Sequence, residues 1–136
     1  NMIKRILMIV LSIYVPASIS GQTKSFNTID ANAPKIVFSK TSHDFGELAL
    51  YAPAFCEFKF YNKGRSPLIL SDISATCGCT VPSWPKKPII PGDSGIIVIN
   101  YLPDETGTID KNVTVFSNAT KIPVTLELKG KVIKKY

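Results

Sequence analysis

A single histidine, His43, stands in 136 residues, and that scarcity excludes any site that needs two imidazoles. Three cysteines cannot all pair within one molecule, so a disulfide-dense scaffold is excluded too. Charged residues make up only 19% of the chain against 45% hydrophobic, too apolar a balance for a disordered segment. No apolar run reaches the about 20 residues that a membrane-spanning helix needs. No stretch shows an apolar period of 3.6, and ten prolines with eight glycines work against helix interiors. The G-x-S-x-G elbow, the phosphate-binding glycine loop and the zinc-type HExxH are absent as well. What is present is enough chain for one domain and a leader.

The formal net charge of +6 invites a nucleic-acid reading, but its location argues against one. Lys4 and Arg5 lie at the start and Lys129, Lys131, Lys134 and Lys135 at the end. Residues 21–128 hold ten bases and all ten acids, so the body is neutral, with signs alternating along it. No nucleic-acid partner is expected.

Lys4 and Arg5 precede an apolar run from Ile6 to Val15, broken only by Ser12, and small residues follow. A basic start, about ten apolar residues and a small-residue cleavage region describe a secretory signal peptide. The expected organisation is a leader over 1–20, a polar linker over 21–34 and one domain over 35–136, exported to the periplasm or cell surface. No transmembrane helix is expected in the mature chain.

The body reads as strand after strand. Lys35–Ser39, His43–Leu48, Phe55–Tyr61, Leu68–Ala75, Gly95–Tyr101 and Ile109–Phe116 are β-rich runs bounded by turn residues. The last strand has the cleanest period: Ile122, Val124, Leu126, Leu128 and Val132 fall on even positions and predict one buried face. Thr76–Ser94, with four prolines and Trp84, reads as a long irregular stretch. About seven strands at 8–12-residue spacing predict an all-β, immunoglobulin-like sandwich.

An ordered set of motifs runs through these strands. His43-Asp44-Phe45-Gly46 is followed by Phe58-Lys59-Phe60-Tyr61-Asn62-Lys63-Gly64 and Pro67-Leu68-Ile69-Leu70. Then come Cys77-Gly78-Cys79-Thr80-Val81-Pro82 with Trp84, Pro91-Gly92, Gly95-Ile96, Gly107, Lys111 and Ser117-Asn118. Over roughly residues 36–132 the chain resembles the domain-of-unknown-function family 1573, secreted proteins common in Bacteroidetes. The resemblance implies an immunoglobulin-like sandwich, distantly similar to domains of cilium- and spindle-associated proteins and to periplasmic pilus chaperones. It implies no established activity and no cofactor. Two features depart from the family pattern: Ala49-Leu50-Tyr51-Ala52-Pro53 stands where the family places a glycine, and Cys56 lies outside its motif.

Cys56 shares a strand face with Phe58 and Phe60 and reads as a small buried hydrophobe. With Asn62–Ser66 as a hairpin turn, Cys56 would sit opposite Asp72, five residues and about 16 Å of strand from Cys77. That is beyond disulfide reach. Cys77 and Cys79 remain, with Gly78 to loosen the small ring between them. Closing so short a loop stabilises by roughly 1.6 kcal/mol at most. Three readings of the pair stand: a local structural bond or reduced pair, a labile thiol-exchange site, and a soft-metal site with His43 and Cys56 as its only further ligands.

His43 and Asp44 are strand neighbours, so their side chains should point to opposite faces rather than form a dyad. Phe45 is expected buried and Gly46 at a bulge. Asn62, Gly64, Pro91 and Gly92 read as structural turn positions. Trp84 reads as a core plug, or else as an exposed aromatic in a binding loop with Thr80 and Pro82. Asn112 and Asn118 match a glycosylation sequon but read as strand and turn. The expectation is an exported, non-catalytic module. Its partner is a protein or envelope component, held at a sheet edge or at the Cys77–Trp84 loop.

Overall fold

The computed structural model describes Gly21 and residues 31–135. The expected leader and residues 22–30 of the linker lie outside the described residues. Alternation of apolar and polar side chains, punctuated by turns, produces eight strands and no helix among the described residues. They are β1 (Ile36–Phe38), β2 (Ser42–Ala49), β3 (Ala54–Asn62), β4 (Leu70–Ala75), β5 (Thr80–Ser83), β6 (Ser94–Tyr101), β7 (Gly107–Ser117) and β8 (Val124–Ile133). No described helix is long and apolar enough to cross a membrane.

The strands form two four-stranded sheets, ordered β1-β3-β6-β5 and β2-β8-β7-β4. This is the immunoglobulin arrangement, with the first strand split between the sheets. Its β1 half pairs antiparallel with β3. Its β2 half pairs parallel with β8. The inner faces close over Phe58, Phe60, Ile97, Ile99, Val113, Val115, Leu126 and Leu128, all essentially without solvent contact.

Four expectations need correction. A strand, β5, lies inside the stretch read as irregular, hidden in the sequence by Pro82. It is an edge strand, where proline's missing N–H costs the ladder least. Asn62–Ser66 is not a hairpin: it carries the chain from one sheet to the other, so Cys56 faces Ile99 on β6 while Asp72 faces Phe116 on β7. Leu68 and Ile69 precede β4, and Leu68 makes only an isolated bridge to Ile89. Ile122 lies before β8 and is 81% exposed, whereas Leu126, Leu128 and Val132 keep the buried face.

Candidate functional site

The residues singled out in the sequence separate into a structural group at one end of the sandwich and a contact surface on one sheet. Asn62, fully buried at the end of β3, makes the first group. Its Nδ2 donates to the carbonyls of Ser66 (2.7 Å) and Ile89 (2.9 Å). Its Oδ1 accepts from the N–H groups of Gly64 (3.0 Å) and Lys35 (3.3 Å). Its backbone carbonyl takes the N–H of Gly92, next to Pro91. One side chain thus ties β3, the crossover, the turn before β6 and the start of β1 together. Gly64 is packed against the Ala33 carbonyl and 2.5 Å would separate an added Cβ from the Lys35 nitrogen, so no larger residue fits.

His43-Asp44-Phe45-Gly46 builds the kink of β2. The register against β8 shifts between Asp44 and Glu47, and Gly46 takes φ 67°, a left-handed bulge position suited to glycine. The exposed Asp44 carboxylate accepts the Gly46 N–H at 2.8 Å. His43 points to the other face, edge-on to Phe45 at 4.8 Å, and Phe45 stacks on Tyr101 at 5.7 Å. Lys40 Nζ lies 2.8 Å from His43 Nδ1. An ammonium only donates, so Nδ1 accepts and the ring is neutral. Burial, then the Lys40 charge, lower the His43 pKa, with Asp44 opposing them.

Cys77 and Cys79 are joined by a disulfide with Cα atoms 5.4 Å apart. Gly78 between them does not use a positive φ, so the freedom expected of it is not what the ring requires. The buried Thr80 hydroxyl sits 3.6 Å from Cys77 Sγ and 3.9 Å from Cys79 Sγ. Cys56 is buried and free, and burial pushes its thiol up to about 11. No group of three His, Cys, Asp or Glu side chains forms among the described residues, so His43 and Cys56 are not gathered around the pair. Trp84 packs against the core, with Lys86 Nζ 3.0 Å from its ring centre.

The surface that the sequence reading missed is the outer face of the β1-β3-β6-β5 sheet. Strand registers stack its side chains in rows: Val37 with Tyr61 and Ser94, Lys59 with Ile96, Glu57 with Val98 and Ser83, and Phe55 with Asn100 and Val81. Leu102 continues β6 and donates its N–H to the Cys79 carbonyl, which brings the disulfide to the end of the face. Beside it Pro53, Val81, Asn100 and Leu102 line a groove of about 320 Å³. Phe55 is 66%, Val81 58% and Leu102 46% exposed. Of the ten large hydrophobic side chains exposed among the described residues, five lie on this face. The opposite sheet presents only Phe116 of that group, among Asp44, Glu47, Asp110, Glu127, Lys129 and Lys131. The available signal was β6, whose Ile96, Ile97, Val98 and Ile99 are apolar on both alternations, a pattern of strands covered on both faces.

The family model described as "Protein of unknown function (DUF1573)" matches residues 36–132. No curated protein matches the sequence. Among solved structures, a protein of unknown function from Porphyromonas gingivalis W83 is similar with TM-score 0.67 and 18% identity over 79% of this chain. The match spans 51% of that protein, so this chain covers about half its length. The ASH/PapD-like domain 7 of human CEP192 is similar with TM-score 0.65 and 13% identity, covering 77% of this chain and 89% of that domain. The secreted serine protease VesC of Vibrio cholerae is similar with TM-score 0.56 and 12% identity, over 72% of this chain and 23% of that one. At these identities the likeness is one of fold.

Proposed function

This chain belongs to the DUF1573 family, and from that premise we propose that it is an exported, non-catalytic interaction module of the periplasm or cell surface. The observation behind the reading is the contrast between its two outer faces: one charged, the other carrying five of the ten exposed large hydrophobic side chains of the described residues and ending in a groove beside a disulfide. An apolar sheet face of this kind marks a contact surface. All four sheet edges are poor templates for an added strand. β1 and β5 are short, β5 carries Pro82, and β2 and β4 have register shifts. The face, not an edge, is the contact surface in this reading. The basic leader and the disulfide both fit an oxidising compartment outside the cytoplasm.

The test is capture from envelope extract on immobilised wild type, Phe55→Lys and Glu127→Lys. Wild type and Glu127→Lys, which alters the charged face, should retain the same proteins, and Phe55→Lys should lose them. Equal recovery on Phe55→Lys would overturn the reading.

A second reading, thiol exchange at Cys77–Cys79, is favoured by one observation: the half-exposed disulfide borders the groove. A measured reduction potential well below about −300 mV, the range of inert structural disulfides, would dispose of it.

A further inference from the structure

The hydroxyl of Thr80 points to the chemistry of the disulfide beside the groove, an inference that rests on the thiol-exchange reading above. Thr80 is only 5% exposed. Among the described residues, the hydrogen-bond partners of its hydroxyl are the two disulfide sulfurs, Cys77 Sγ at 3.6 Å and Cys79 Sγ at 3.9 Å. A disulfide sulfur carries no hydrogen, so the hydroxyl is the donor, and divalent sulfur is a weak acceptor. A buried donor held this way is poorly compensated. A thiolate in the same place would turn the contact into a charge-assisted hydrogen bond, so the hydroxyl favours the opened disulfide. The nearer sulfur, Cys77 Sγ, gains most.

The two sulfurs also differ in access. Cys79 lines the groove with Pro53, Ala54, Val81, Asn100 and Leu102, and Cys77 does not. No charged side chain lines that groove. A chain lying in it meets Cys79 Sγ, while the sulfur held by Thr80 is placed to leave.

We propose that this site reversibly captures a cysteine-bearing polypeptide segment with apolar neighbours, as a mixed disulfide to Cys79. The segment's thiol loses its proton to water, and the resulting thiolate attacks Cys79 Sγ. The Cys77–Cys79 bond breaks, and its electron pair leaves on Cys77 Sγ, where the Thr80 hydroxyl donates to it. One disulfide is lost and one is formed, so no oxidant or reductant is consumed. Release is the reverse: the Cys77 thiolate attacks Cys79 Sγ and expels the segment's thiolate. The groove offers no counter-charge, so it fits neutral, apolar residues beside the cysteine. Cys79 is half-buried, so the incoming thiol must stand on a protruding or unfolded segment.

Two neutral, capped peptides test the proposal, one with its cysteine between leucines and one with it between serines. Each is mixed with the oxidised full protein and quenched with acid at early times. The freed thiol is blocked with a maleimide, and mass spectrometry identifies the sulfur that carries the peptide. The mixed disulfide should form at Cys79 with Cys77 blocked, and the leucine peptide should react about tenfold faster than the serine peptide. Val81→Asn should bring the two rates together. Thr80→Val, which keeps the shape and removes the hydroxyl, should slow capture about threefold or more and lower the reduction potential of the pair. Thr80→Ser, which keeps the hydroxyl, should stay near wild type in both. Circular dichroism melts check that each variant is folded. Capture at Cys77, equal rates for the two peptides, or a Thr80→Val variant with unchanged rate and potential would overturn the proposal. If both peptides still form mixed disulfides, thiol exchange stands without this substrate. If neither does and the potential lies well below about −300 mV, both fall.

Discussion

Asn62 is the residue on which most of one end of the molecule depends. Replacing it with Ala would leave the Ser66 carbonyl without its donor and the Gly64 and Lys35 N–H groups without their acceptor, while the Ile89 carbonyl keeps only the Leu68 N–H. Unsatisfied buried groups cost about 1–3 kcal/mol each. Asn62→Ala should therefore lower the unfolding free energy by about 3 kcal/mol or more, read as a fall in urea midpoint with an unchanged slope. His43 makes a second prediction. Its folded pKa lies below the ordinary 6.5, so between the two values the unfolded chain binds the proton more readily. Its contribution is present above pH 6.5 and is lost as pH falls through the lowered value. Thermal melts should show stability falling on acidification from pH 7.5 to 5, with a smaller fall in His43→Gln. Both residues were visible as motif positions in the sequence. Their partners were not, because Asn62 and Ile89 are 27 residues apart and meet only when the crossover is folded.

At the scale of elements, six of the eight strands could be read from alternation and turn residues with only their ends displaced. β4 begins two residues after the start of its β-rich run, and β5 carries no alternation of its own. A four-residue edge strand with a central proline looks in sequence like the loop around it, since its pairing is supplied by β6. Its neighbour, the Cys77–Cys79 disulfide, closes a loop of three residues and so removes little entropy from the unfolded chain. The variant with both cysteines changed to Ser should lose no more than about 1.6 kcal/mol. A much larger loss in a urea titration would mean that the disulfide holds the β4–β5 connection in place. The turn after β2 shows a different relation between family and element. Tyr51 adopts φ 63°, close to where the family pattern places glycine, so the departure keeps the left-handed turn while giving up the residue that suits it.

For the whole molecule, the basic total of the sequence describes its ends, while the folded body sorts its surface into two unlike faces. If the face carrying Phe55 is the contact surface, a second exposed apolar side chain on it should matter in the same way. Ile96→Lys, on the outer side of β6, should lose the envelope proteins that wild type retains, as checked by the same capture from envelope extract.

The sequence by itself determined the all-β class, the succession of all the strands but β5, the buried side of β3 and β8, and the family to which residues 36–132 belong. These follow from local pattern, because side-chain alternation and turn chemistry act over a few residues. The tertiary structure decided which strands share a sheet, and therefore that Asn62–Ser66 crosses between sheets. It also decided that Phe55, Val81, Ile96 and Leu102 share one exposed face. That face is assembled from strands distant in the chain, and lateral neighbours in a sheet are set by hydrogen-bonded register, which no single strand encodes.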